Sequence, residues 1–174
     1  MPRLHSTARV IAMVTLVALV QVTFVSQVRI AGVAPDTLLL LSVASGVVAG
    51  PDRGALIGFT AGLAYDMFLQ TPLGMSALVY CVVAYLVGLF QLPLAGQPQW
   101  WRAMSVVGAS ALGVVLWTLT GLVLGQDQLL GVSLPRVVVV VALVNGVLSL
   151  PALGIASWMY APLAAADRPL GRVG

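Results

Sequence analysis

From Val10 to Val28 the chain carries no formal charge, and similar stretches recur almost to its C-terminal end. Six apolar segments can be traced, at about 8–28, 36–50, 53–70, 72–91, 103–125 and 135–160. A helix of ~20 apolar residues crosses the ~30 Å hydrocarbon core of a bilayer. The expected fold is therefore all-α, an integral membrane bundle of six transmembrane helices. Residues 1–174 read as a single integral membrane domain, with 161–174 as a short cytoplasmic tail. The composition agrees. Hydrophobic residues make up 60% and charged residues 7%, against about 25% charged in a soluble domain.

The segments are separated by turn-like stretches, among them "GPDRG" at 50–54, "QTP" at 70–72 and "GQDQLLGVSLP" at 125–135. Each connection is short, so function must reside in the bundle or at its rims. Joining the second and third segments would bury Pro51, Asp52 and Arg53 at the centre of one long helix, where charge is costly. Two short helices forming a tight hairpin avoid that cost. The first segment exceeds the ~7–15 residues of a secretory signal core. Its best small-residue site, Gly32-Val33-Ala34, runs into Pro35. It reads as a retained signal anchor.

Orientation follows from arginine. With the N-terminus in the cytoplasm, Arg3, Arg9, Arg53, Arg102, Arg168 and Arg172 lie inside, and Arg29 and Arg136 outside. This obeys the positive-inside bias and places both termini in the cytoplasm, whereas five helices would send Arg102, Arg168 and Arg172 outward. Trp100, Trp101, Trp158 and Tyr160 fit interfacial anchoring. The net charge of +3 does not indicate nucleic-acid binding, because the arginines are scattered singly rather than gathered in a basic patch.

Lipid gives helices no hydrophobic reason to associate, so close backbone packing and hydrogen bonds must hold them. Small residues recur every four positions: Ser42, Gly46 and Gly50, then Gly54, Gly58 and Gly62, with Asp66 next. The series reads as a packing stripe, although 18 glycines in an apolar chain can also produce it by chance. Counting ~1.5 Å per residue from the flanking boundaries brings Gln21, Asp66, Tyr80 and Asn145 to nearly one depth. They are expected to form a buried polar layer; the alternative is that one or more faces headgroups or a water-filled cleft. Asp36, after Pro35, can cap the second helix. Thr71 can cap the fourth, with Pro72 at its first position. Pro151, within the sixth, should free a carbonyl.

Catalytic arrangements are missing from the sequence. His5 is the sole histidine and Cys81 the sole cysteine, which rules out a histidine-based triad, a zinc site or an internal disulfide. Lysine is absent, so no phosphate-binding loop of the lysine type exists. Asp36 and Asp52 are expected too far from Asp66 for a carboxylate dyad. No cofactor or metal is expected, and Asp66 reads as a group for assembly or docking rather than turnover.

Three stretches resemble the rod shape-determining protein MreD family: "APDTLLLLSVASG" at 34–46, "GALIGFTAGLAYDMFLQTPLGMSALVY" at 54–80 and "LVNGVLSLPAL" at 143–153. The resemblance covers nearly the whole chain. It implies a multi-pass protein of the bacterial cytoplasmic (inner) membrane, acting as a non-catalytic scaffold or regulator of the elongation complex that makes lateral peptidoglycan. The implied partners are MreC, a RodA-type glycosyltransferase with its class B penicillin-binding transpeptidase, and the actin-like MreB where present. Carried over by motif, the structural and partner-binding positions are Asp36, Gly58, Gly62, Asp66, Pro72, Gly74, Asn145 and Pro151. The rival reading is a solute-binding membrane component similar to the substrate-capture subunit of an energy-coupling-factor transporter, with Asp66 and Asn145 lining its cavity.

Overall fold

The computed structural model describes residues 2–30, 32–69, 72–91, 98–125 and 134–166 of the 174. Those residues are all-helical apart from connecting turns, with six α-helices. They are α1 (Pro2–Thr23), α2 (Thr37–Ala49), α3 (Pro51–Asp66), α4 (Met75–Gln91), α5 (Gln99–Val123) and α6 (Leu134–Ala166).

Three stretches are long and apolar enough to cross a membrane: Ala8–Gln27, Gln99–Val123 and Leu134–Ala161. α2 and α4 are shorter apolar helices. At ~1.5 Å per residue, the 13 residues of α2 reach only about 20 Å. α2 is nevertheless the centre of the fold. Every residue from Leu38 to Val47 is buried, as expected of a helix that is hydrophobic all round. The other five helices pack around it. The outer faces carry exposed apolar side chains, including Ile11, Leu16 and Leu19 on α1, Leu119 and Val123 on α5, and Leu143 and Val147 on α6. Lipid is the solvent that suits such a surface.

The glycine series is a packing face. A Cβ at Gly54 would lie 2.5 Å from the Gly46 Cα, so α2 and α3 touch through backbone on either side of Gly50. Gly50 has φ +88° and Pro51 opens α3 at a position where its missing N–H costs nothing. Further along α3, a Cβ at Gly58 would sit 2.6 Å from the Tyr80 carbonyl carbon, and one at Gly62 would sit 2.5 Å from the Ala77 Cα. Gly88 of α4 answers from the other side, its Cβ position lying 2.6 Å from the Pro51 Cα. α3 and α4 thus lie against each other at distances only glycine permits.

The boundaries differ from the sequence reading in places. α1 ends at Thr23, α3 ends at Asp66 instead of 70, and α6 continues through Pro151 to Ala166 instead of stopping at 160. α4 begins at Met75, so Pro72 is not its first residue; instead the Pro72 carbonyl accepts the Met75 N–H at 3.2 Å. Thr71, expected as the cap, lies outside the described residues, as do 167–174 of the expected tail.

Candidate functional site

The buried acids can be understood from the helix ends they serve. The first N–H groups of a helix have no partner within it, and in hydrocarbon each one left unpaired costs several kcal/mol. Short helices that begin inside the bundle must find acceptors there.

α4 finds them in Asp66. This side chain is 2% exposed and lies at the last residue of α3. Its Oδ2 accepts the Gly74 N–H at 2.8 Å, and both oxygens accept the Ser76 N–H at 3.1 Å. The Ala77 N–H adds a longer bond of 3.3 Å. The carboxylate therefore caps α4 from the preceding helix, where the positive helix end favours negative charge. Gly74 has φ +97°, a conformation L-residues rarely adopt, and from it the amide reaches back to Asp66. The close approach at Gly62, one turn earlier, brings the two helices near enough for this clamp. Ser76 extends it to α5 by accepting the Trp117 indole N–H at 3.2 Å.

α2 is capped by two groups. Asp36 accepts the Leu39 N–H at 2.9 Å, the cap read from the sequence. From α1, the fully buried Gln21 donates to the Pro35 carbonyl at 2.9 Å and accepts the Thr37 N–H at 2.9 Å and the Thr37 hydroxyl. Tyr80 of α4, 1% exposed, donates its hydroxyl to Asp36. Its ring stacks on Tyr65 of α3, with centroids 6.4 Å apart. Asp36 is thus tied to α4 as well as to the start of α2.

Gln21, Asp66, Tyr80 and Asn145 are all buried. Gln21 bonds to the start of α2, Tyr80 to Asp36, Asp66 to the start of α4, and Asn145 to the Ser110 hydroxyl at 3.0 Å. Sequence reasoning passed over Ser76, Ser110 and Trp117, whose serine and indole groups carry no spacing signal. Tyr80 and Asp36 are 44 residues apart, beyond any local pattern. Pro151 lies within α6 and leaves the Val147 carbonyl without its helical donor.

Asn145 differs from the acids in one respect. Its Oδ1 is buried without a hydrogen-bond partner. Replacing Asn145 with leucine and Ser110 with alanine together removes that orphan acceptor and both partners of one neutral bond, and such paired swaps are close to neutral. The double variant should shift the apparent melting temperature in detergent by no more than about 4 °C, whereas Asn145→Leu alone, which leaves the buried Ser110 hydroxyl without its partner, should lower it further.

A cavity of about 260 Å³ opens beside Asp36, between the start of α2, the end of α3, and α4, α5 and α6. Asp36, Tyr65, Tyr80, Trp117 and Thr118 provide its polar and aromatic lining, and Val114, Val137 and Val141 much of the rest. Neither Asp66 nor Asn145, the pair expected to line a solute cavity, is part of it. At the other end of the bundle, the Arg9 guanidinium lies 4.9 Å from the Trp158 ring centroid, joining α1 to α6. Among the described residues, no three His, Cys, Asp or Glu side chains gather as a metal site would require.

The Asp66 clamp, its glycine approach and the Pro-Leu-Gly turn together form the most distinctive element of this fold, and a family comparison covers all of it. The family model described as rod shape-determining protein MreD matches residues 5–153. The chain belongs to the MreD family. No curated protein and no solved structure matches it. Membership in the MreD family gives the chain a role in rod shape determination, in a family known as a non-catalytic component of that process. With its three long apolar helices, it is a membrane protein.

Proposed function

We propose that this MreD-family chain is a multi-pass scaffold of the bacterial cytoplasmic membrane, regulating the complex that builds lateral peptidoglycan. In this reading all six helices lie in the bilayer, both termini face the cytoplasm, and α2 and α3 form a tight hairpin. The bundle presents a docking shape to MreC and to a RodA-type glycosyltransferase with its class B transpeptidase. MreB is reached through them where the cell has it. The whole of 1–174 acts as one membrane domain.

The observation that carries this reading is the family match over residues 5–153. The geometry supports it as well. Gln21, Asp36 and Asp66 are engaged with backbone groups at helix starts, as suits a rigid frame more than a turnover site. Asp36, Gly58, Gly62, Asp66, Pro72, Gly74, Asn145 and Pro151 would act by fixing that frame, and partners would meet its exposed apolar faces. The test is affinity capture of the tagged chain from native membranes, with identification of the retained proteins. MreC and the RodA-type enzyme are expected together in the eluate. An eluate containing neither would remove the scaffold assignment.

A further inference from the structure

The cavity beside Asp36 is a partly open cleft of about 260 Å³, close to the ~300 Å³ at which ligand pockets begin, and unlike the cleft of about 290 Å³ between α4 and α5 it has an acid in its wall. Capping of α2 and the bond from Tyr80 explain why an acid stands at position 36. They do not explain the space in front of it.

The chemistry of the walls indicates what would fill it. A carboxylate offers about four acceptor positions. The Leu39 N–H and the Tyr80 hydroxyl engage Asp36, leaving acceptor capacity at a side chain that lines the cleft. Among the described residues, no arginine or histidine lines the cavity. Tyr65, Tyr80 and Trp117 line the same space, and aromatic faces attract cations. The remaining walls, including Val114, Val137 and Val141, are apolar. We propose that this cavity is a binding site for a primary ammonium head, the ammonium on Asp36 between the aromatic rings and its adjoining methylenes against the valine wall. Two sources present such a head, an aminophospholipid of the surrounding bilayer, whose phosphate stays outside the cleft, and a free alkylamine. The site goes beyond the scaffold reading and does not depend on it.

Native mass spectrometry of the purified full-length chain tests it. Dioleoylphosphatidylethanolamine is compared with dioleoylphosphatidylglycerol, and n-octylamine with n-octanol. Asp36→Asn keeps an acceptor for the helix cap but removes the charge. Val114→Phe fills the cavity without touching the acid. Asp52→Asn, which lies outside the cavity lining, is the control. The amine-bearing probe should bind preferentially in the wild type and in Asp52→Asn. Removing the buried charge partner should weaken it on the order of 30-fold, and Val114→Phe should abolish it. Preference for the ethanolamine lipid alone identifies the bilayer as the source, and preference for octylamine alone identifies a free amine. Equal binding within both pairs overturns the site, as does a preference that persists in either folded variant. Should Asp36→Asn fail to fold, Val114→Phe decides by itself. Affinity capture of MreC by a variant that has lost amine binding would show that the two roles are separate.

Discussion

Asp66→Ala should lower the apparent melting temperature of the detergent-solubilised protein by roughly 10 °C or more, the largest loss expected of any single polar substitution in the chain. The substitution strips the start of α4 of its acceptor. The N–H groups of Gly74, Ser76 and Ala77 all point at this carboxylate, and the side chain that holds them is 2% exposed. A buried donor left unsatisfied costs about 1–3 kcal/mol. Three of them sharing one lost partner do not add in full, so a total on the order of 4 kcal/mol is expected. By contrast, an interhelical side-chain bond in a membrane is worth only about 0.6–2 kcal/mol.

Asp66→Asn makes the prediction specific. It keeps one acceptor oxygen but turns an amide toward the donors and removes the charge that favours the helix N-terminus. An intermediate loss is expected. If alanine and asparagine instead melt with the wild type, water or another group must reach these amides, and the clamp would not be what orders α4. In cells, loss of the clamp should be read as loss of rod shape accompanied by lower amounts of the protein, because an unlatched α4 leaves the bundle open to proteolysis.

Much of this was legible in the sequence because the membrane narrows the choices. Charge-free runs mark helices, and the GPDRG break at 50–54 separates α2 from α3. Four-residue glycine spacing marked the face that packs, since helical periodicity brings those positions to one side. The Asp36 cap was also readable, being a local event three residues long. What could not be read was pairing between distant residues. Depth arithmetic places residues along the bilayer normal but gives no rotation about each helix axis, so it could not name the bonding partners of Gln21, Tyr80, Asp66 and Asn145. The start of α4 was misplaced for a related reason. Thr71-Pro72 is a sound local start signal, yet the capping acceptor comes from Asp66 on the preceding helix, and Gly74 at positive φ sets the boundary.

Alanine at the packing glycines should separate these effects, because propensity and contact predict opposite signs. In a helix interior, Gly→Ala gains about 1 kcal/mol from reduced backbone entropy. At Gly108 and Gly154 an added Cβ meets nothing within 4 Å, so both substitutions should stabilise or leave the melting temperature unchanged. At Gly58 the same atom would sit 2.6 Å from the Tyr80 carbonyl carbon, and at Gly62 2.5 Å from the Ala77 Cα. Those neighbours are backbone and cannot turn aside as a side chain would. Overpacking of this kind costs about 1–3 kcal/mol, so α3 must move off α4 and the net loss should be on the order of 1 kcal/mol after the gain in propensity. Gly62 carries a further consequence. Its close neighbours include the Ser76 carbonyl carbon and the Ala77 backbone, and the N–H groups of both residues are held by Asp66. Displacing α4 there also lengthens the bonds of the clamp. Gly62→Ala and Asp66→Ala should therefore be strongly sub-additive in a double-mutant cycle, with a coupling of about 1 kcal/mol or more, while Gly108→Ala and Asp66→Ala should add. Full additivity of the first pair would mean that the glycine approach and the carboxylate clamp act on α4 independently.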